Sequence, residues 1–245
     1  MGDITAVILA AGMGVRMGPR GRLMPKGLIP VGGVPMVEQS VATLRDWGAA
    51  RIVIVTGHLQ EQYQALFGDS DIELVYNDAY ASTGSLLSLV KGLERVEGPC
   101  VIIESDLIYA PQALDPVDGI RNVFPLSTPT HAGDEVYAWT RDEDGAPILD
   151  EISKDRAARI EAPMGEMVGL TGLNAQSVPE LLRVANDILH DAPKEHYEPG
   201  LVALSKRMPV HCHLFDDLPW AEIDDEDMLE RAAREVYPRV LAARG

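Results

Sequence analysis

Four short apolar runs, too brief to be buried helices, are separated by stretches of helical periodicity. That alternation leaves few ways to fold. Residues 6–11 (AVILAA), 51–56 (RIVIVT), 72–76 (IELVY) and 100–104 (CVIIE) are largely apolar, as strands covered on both faces must be. After Pro35, which suits a first helical turn, Val37, Val41 and Leu44 recur at helical spacing. Residues 59–67 read as a second helix. Over residues 85–94, Leu86, Leu89, Val90 and Leu93 share one side of a third. Strands and helices in this order predict a three-layer α/β/α domain around a mixed, mostly parallel central sheet.

The second half is less regular. Residues 135–140 alternate, meet Asp144-Gly145 and lead into residues 147–153, which predicts a hairpin. Residues 166–173 and 209–215 read as strands. Val178, Leu181, Leu182, Ala185, Ile188 and Leu189 mark an amphipathic helix. Residues 193–205 read as another helix, and 225–236 as a last one with acids in its first turn. A seam falls near Arg121.

The formal net charge of −17 gives the chain no general attraction for nucleic acid backbones. A hydrophobic content of 46% is too high for an acidic disordered chain. No apolar run approaches the roughly 20 residues of a membrane span. The first residues lack the basic start of a signal peptide. Two cysteines, Cys100 and Cys212, make no disulfide framework and suit a reducing compartment. The expectation is a cytoplasmic protein with neither nucleic acid nor membrane as partner. The charge is unevenly spread, however. Between Ile4 and Val37 there is no acid, yet Arg16, Arg20, Arg22 and Lys26 all lie there. From Asp216 to Glu235, nine acids face only Arg231 and Arg234.

The cations occupy a glycine-rich segment after the first strand: Leu9, Ala10, Ala11, Gly12, Met13, Gly14, Val15 and Arg16, continuing to Pro25-Lys26-Gly27. The Walker pattern fails for want of Gly-Lys-Ser/Thr. The dinucleotide fingerprint fails because Met17 stands where its third glycine belongs, and Gly18, Pro19, Gly21 and Pro25 forbid a long helix. What remains is a loop of nearly 20 residues whose backbone amides and cations suit a triphosphate.

Leu-Ala-Ala-Gly-x-Gly-x-Arg, then Pro-Lys and residues 28–36 (LIPVGGVPM), resembles the nucleotidyltransferases that make nucleoside-diphosphate sugars and alcohols. Residues 76–85 (YNDAYASTGS), 133–137 (GDEVY), 152–154 (ISK), 165–169 (GEMVG) and 220–224 (WAEID) resemble the branch of phosphocholine and aminoethylphosphonate cytidylyltransferases. The resemblance implies a Rossmann-like domain over 1–245, with a nucleotide-binding half at 1–120 and an acceptor-binding half at 121–245. It implies transfer of CMP from CTP to a small phospho- or phosphono-alcohol or amine, with release of pyrophosphate. Arg16 and Lys26 would be catalytic, stabilising the triphosphate. Residues 9–14 and Asn77, Thr83, Gly84 and Ser85 would bind the nucleotide, although Ser85 also reads as a helix cap. Asp106 and Asp224 would hold Mg²⁺, although Asp224 also suits the cap of the last helix.

On the acceptor side the resemblance implies Lys154 for the phosphate, and Tyr137, Glu166, Tyr197 and Trp220 around the head group. These aromatics read equally as core or rim residues. Val136 breaks the aromatic pattern expected for choline and leaves a primary amine open. His211-Cys212-His213 lies on a strand, where the histidines and the cysteine face opposite ways, so the trio does not converge on a metal. His58, after the second buried strand, could approach the cleft, although a lone loop histidine is more often incidental. The rival readings are a sugar-1-phosphate nucleotidyltransferase using UTP, dTTP or GTP, and a silent nucleotide sensor on the same fold. A homodimer stays open.

Overall fold

The strands over residues 5–10, 51–56 and 100–104 are buried on both sides, and this fixes the layers. The computed structural model describes residues 3–244, so residues 1, 2 and 245 of the expected 1–245 domain lie outside it. The chain runs β1 (Thr5–Ala10), α1 (Gly18–Leu23), β2 (Pro30–Val31), β3 (Val34–Pro35), α2 (Met36–Trp47), β4 (Arg51–Thr56), α3 (Gln60–Phe67), β5 (Glu73–Tyr76), α4 (Ser85–Leu93), β6 (Cys100–Glu104) and β7 (Leu107–Tyr109). It continues with β8 (Asn122–Ser127), β9 (Tyr137–Glu143), β10 (Ala146–Ser153), β11 (Gly165–Met167), β12 (Leu170–Leu173), α5 (Ser177–Asp191), α6 (Glu198–Ser205), β13 (Val210–Phe215), β14 (Trp220–Glu222), α7 (Glu226–Arg231) and α8 (Tyr237–Ala242).

Ala6, Ile8 and Ala10 of β1 pack with Val37, Val41 and Leu44 of α2 and with Tyr63 and Phe67 of α3. Val7 and Leu9 pack the other way, against Leu86, Leu89 and Leu93 of α4 and Leu181 and Leu201 beyond it. β4 and β6 divide their side chains in the same manner, because alternate residues of a strand face opposite sides. Among the described residues one ten-stranded sheet results, in the order β11-β9-β10-β13-β8-β12-β6-β1-β4-β5. The four strands β6, β1, β4 and β5 are parallel. β12 joins them antiparallel to β6, and β13 runs parallel to β8. The sheet is thus mixed, with helices on both faces, as expected.

Several elements differ from the sequence reading. β8 was not anticipated, since Pro125 argues against a central strand. It is tolerated because the expected strand at 166–173 is broken into β11 and β12 at Val168-Gly169. Pro125 stands opposite that break, where its carbonyl accepts from Val168 N at 3.4 Å. The second half's middle helix begins only at Glu198. Residues before it cross α4's start, with Gly84 N donating to Pro193 O and Leu86 N to Glu195 O, both at 3.3 Å. The last helix runs beyond 236. A wide turn over Ala232–Val236 leads into α8, whose first turn holds Pro238, a residue with no amide to continue the ladder. The hairpin β9–β10 forms as expected. Among the described residues no helix is long and apolar enough to cross a membrane.

Asn122 joins three strands at the step between the two halves. Its Nδ2 donates to Pro209 O and its Oδ1 accepts from Asn174 N, each at 3.0 Å, and the side chain is buried. Asn122→Ala leaves both partners unsatisfied. The expected loss is about 1–3 kcal/mol, read as a lower urea midpoint with an unchanged slope.

Candidate active site

The cationic segment is not the open loop the sequence predicts. It folds into short helical turns over Val15–Met17, α1 and Lys26–Leu28. Gly14 starts the first turn at φ +59°, and a Cβ there would lie 3.0 Å from Cγ of Lys26. Gly27 lies so close to α3 that a Cβ would meet the Tyr63 hydroxyl at 2.7 Å. These contacts press Lys26 into the molecule. α1 is tethered from outside: His58 Nε2 donates to Gly21 O at 2.9 Å, Gln62 Nε2 to Leu23 O at 2.8 Å, and Arg20 Nε to Glu226 at 2.7 Å. So His58 serves the loop's shape.

Opposite the loop, β7 and β14 form a two-stranded antiparallel ribbon with Leu107 paired to Glu222. Ile223 N extends it by donating to Asp106 O at 3.0 Å. The ribbon sets the segment 104–106 beside the segment 222–224. Carboxylate oxygens of Glu104, Asp106 and Glu222 all lie within 4.8 Å of one another. Lys26 Nζ donates to Asp106 Oδ2 at 2.6 Å and to Asp224 Oδ1. Arg16 Nη2 lies 2.7 Å from Asp224 Oδ2, and Asp224 is only 1% exposed. The α7 cap is the next residue, Asp225, whose Oδ1 accepts from Met228 N at 2.8 Å. Asp224 thus lies against both cations rather than capping α7.

These groups border a cavity of about 420 Å³. Of the residues expected at the nucleotide, 9–13 and Thr83, Gly84 and Ser85 line it, with Arg16 and Lys26. Gly14 shapes the loop from behind. Asn77 is fully buried behind α4, bonded to Ser88 Oγ at 3.0 Å and to Ala79 N at 3.1 Å. Gly84, not Ser85, occupies the α4 cap position; Ser85 Oγ accepts from Tyr197 N at 3.2 Å. On the acceptor side Lys154 and Tyr197 line the cavity. Tyr137 packs edge-on against Trp139, with ring centroids 6.4 Å apart. Trp220 donates to Ser127 Oγ at 2.8 Å, and Glu166 accepts from Thr130 N at 2.6 Å. Glu166 and Trp220 border a narrower cleft that shares Glu222 and Asp224 with the cavity. The sequence-predicted aromatics are thus not gathered into one cage.

A family model of the MobA-like NTP transferase domain matches residues 6–180. The chain belongs to that family. It is 31% identical over 193 residues to the 2-aminoethylphosphonate cytidylyltransferase of Lancefieldella rimae, covering 78% of this chain and 73% of that one. It is 34% identical over 104 residues to the choline-phosphate cytidylyltransferase of Streptococcus pneumoniae, covering 42% and 45%. The solved CTP:phosphocholine cytidylyltransferase from Streptococcus pneumoniae matches with a TM-score of 0.78 at 19% identity, over 94% of this chain and 98% of that one. A UDP-glucose pyrophosphorylase matches with a TM-score of 0.79 at 14% identity, over 96% and 99%. At such identities the structural matches speak for the fold, that of the nucleotide-diphospho-sugar transferases. The expected resemblance holds, and the chain is a nucleotidyltransferase.

In this NTP transferase domain the acids outnumber what Asp106 and Asp224 alone suggested. The sequence reading missed Glu104, Glu222 and His196, all of which border the cavity. A signal for two of them was present. Glu104-x-Asp106 and Glu222-x-Asp224 repeat one acid-x-acid spacing at the ends of strands. Burial opposes the charge on Lys26, but Asp106 and Asp224 outweigh it and hold the ammonium's pKa well above the lysine range. Glu104 behaves oppositely. Burial, and then the charges of Asp106 and Glu198, push it up to about 8 against the pull of Lys26. Glu222 is also raised, by burial and by Glu104 and Asp106. Glu104 Oε2 is buried with no hydrogen-bond partner. Three converging carboxylates, one with an orphaned oxygen, fit a hard divalent cation such as Mg²⁺.

Because Glu104 binds its proton more tightly in the folded than in the unfolded chain, the native state holds the extra proton between about pH 4.5 and 8. Stability without metal should therefore fall as pH rises through that window. In EDTA, the wild-type Tm is expected to drop between pH 5 and 8, and Glu104→Gln to flatten the drop. An identical drop in both proteins would remove Glu104 as its source.

Proposed function

We propose that the protein transfers CMP from CTP to a small amine-bearing phosphonate or phosphate, of which 2-aminoethylphosphonate is the type, releasing pyrophosphate. The observation that carries this reading is one cavity bordered by Arg16, Lys26 and Lys154 together with Glu104, Asp106, Glu222 and Asp224. Cations for polyanions and an all-oxygen ligand set for a divalent metal meet at one place. The relative from Lancefieldella rimae, matched over most of both chains, supports the phosphonate as acceptor.

The acceptor's phosphonate or phosphate oxygen is already anionic near neutral pH, so its in-line attack on the α-phosphorus needs no general base. The difficulty is repulsion between two anions, and catalysis reduces to positioning and charge compensation. Arg16 offers a planar fork to the triphosphate, and Lys26 a compact charge to the α-phosphate. Backbone amides of residues 11–14 face the phosphates, with residues 83–85 flanking base and ribose. Lys154, from the end of β10, holds the acceptor phosphonate. Glu104, Asp106 and Glu222 would hold Mg²⁺, which supplies further neutralisation of the triphosphate and of the leaving pyrophosphate. The ammonium group finds Glu198, whose Oε2 is buried and unpartnered, in place of an aromatic cage. A primary amine suits such carboxylates better than a trimethylammonium, which has no N–H to donate. Both cysteines are buried and free, with thiols pushed up to about 12 by burial, in keeping with a reducing cytosol.

Pyrophosphate release should be measured with CTP, UTP, dTTP and GTP against 2-aminoethylphosphonate, phosphocholine and glucose-1-phosphate. The highest kcat/KM is expected for CTP with 2-aminoethylphosphonate. Turnover confined to glucose-1-phosphate would make the protein a sugar-1-phosphate nucleotidyltransferase, and turnover of no pair would make it a sensor. Asp106→Ala should lower kcat by at least about 10²-fold, the scale of losing a main electrostatic group, with the fold retained by circular dichroism. Unchanged kcat would refute the role of Asp106.

A further inference from the structure

Asp134 lies in the segment joining β8 to β9, just after Gly133 at φ +97°. Its two carboxylate oxygens are held by different cations. Oδ1 accepts from Lys154 Nζ at 2.8 Å, and Oδ2 accepts from Arg16 Nη1. Arg16 comes from the loop after β1 and Lys154 from the end of β10, so one carboxylate ties the two halves of the chain together across the cavity. The cations are about half exposed, at 52% and 56%, while Asp134 is 23% exposed. This pairing holds the Asp134 carboxyl down to about 2, against the cost of its burial.

Asp134 differs from Glu104, Asp106 and Glu222, and like Asp224 it pairs with cations. Glu104, Asp106 and Glu222 converge closely enough to share a metal ion, so their charge has a use once a nucleotide is bound. Asp134 is not in that group, and its carboxylate oxygens accept from Arg16 and Lys154, the cations proposed for substrate anions. Resting on the function proposed above, we propose that Asp134 is an internal competing anion. It keeps Arg16 and Lys154 paired in the free protein and must yield both when the phosphates arrive, so it sets the affinity for anionic substrates. Held in place by Asp134, two long and exposed side chains remain aimed at the cavity, at the expense of weaker binding.

The test is binding of inorganic pyrophosphate by calorimetry in metal-free buffer, comparing wild type, Asp134→Asn and Glu135→Gln. Removing the neighbouring charge in Glu135→Gln controls for long-range repulsion alone. Asp134→Asn is expected to bind at least threefold more tightly than wild type, and Glu135→Gln less than twofold. In the Arg16→Gln background the gain from Asp134→Asn should shrink, because half of the pairing is already gone. Equal or weaker binding by Asp134→Asn, equal gains in the two single variants, or no pyrophosphate binding by any protein overturns the proposal. Asp134→Ser replaces Asp134→Asn if the latter does not give the wild-type circular dichroism spectrum. Turnover of CTP by the wild type is measured separately. Its failure would refute the proposed activity, while the pyrophosphate comparison would still decide the role of Asp134.

Discussion

Lys26 is the contact on which the site depends. Its side chain is 17% exposed, and its ammonium lies against carboxylates from two separate segments, Asp106 after β6 and Asp224 after β14. A charge so far removed from water is tolerated only when it is paired and hydrogen-bonded. The surrounding structure supplies those partners through backbone geometry. The β7–β14 ribbon sets Asp106 beside residues 223 and 224. A small apolar cluster of Met17, Ile29, Val31, Met36, Ile108, Ala221 and Ile223 seals the loop, the ribbon and α2 together from below. Moving any one of these elements would leave a buried charge without its partner, so the loop's shape and the acids' positions are specified together.

The first half was legible in the sequence because its strands are covered on both faces. Short apolar runs then have a single reading, and β1, β4, β5 and β6 fall within a residue of their expected bounds. The second half was less legible because its strands gain their partners from far away in the chain. Pro125 would be a strand breaker in an intact ladder, but the break at Val168-Gly169 removes the demand for its missing amide. No local property of residues 122–127 announces this. Likewise β7 and β14 are three residues each and form only as a pair, across more than a hundred positions.

The site divides in the same way. Arg16, Lys26, Asp106 and Lys154 stand on segments that carry the family resemblance, and all line the cavity. Glu104 was read only as the last residue of a buried strand. The fold instead keeps one of its oxygens buried and unpartnered. Trp220 was read as a head-group residue from its motif, and its indole N–H donates to Ser127 of the large sheet. Side-chain direction at a strand end depends on which strand comes to lie beside it, and that is a property of topology.

The acidic composition argues at first against any phosphate ligand, and the cavity sharpens the point. Arg16, Lys26 and Lys154 face Glu104, Asp106, Asp134, Glu222 and Asp224, so cations are outnumbered where a triphosphate would bind. At about 4 Å each uncompensated pair of like charges costs roughly 4 kcal/mol at a surface-like dielectric. Protonation relieves part of this in the free protein, since Glu104 and Glu222 both hold their protons more tightly than usual. A divalent cation would relieve it in the loaded one, and would favour the ionised carboxylates that the buried position disfavours. In the proposed function, anion and metal binding would therefore be coupled by charge, each removing the penalty that the site imposes on the other. A site built only of cations would bind triphosphate without metal and hold the product pyrophosphate as tightly. Under the proposed function, the excess of acid would weaken anion binding without a metal and strengthen it once a divalent cation is held.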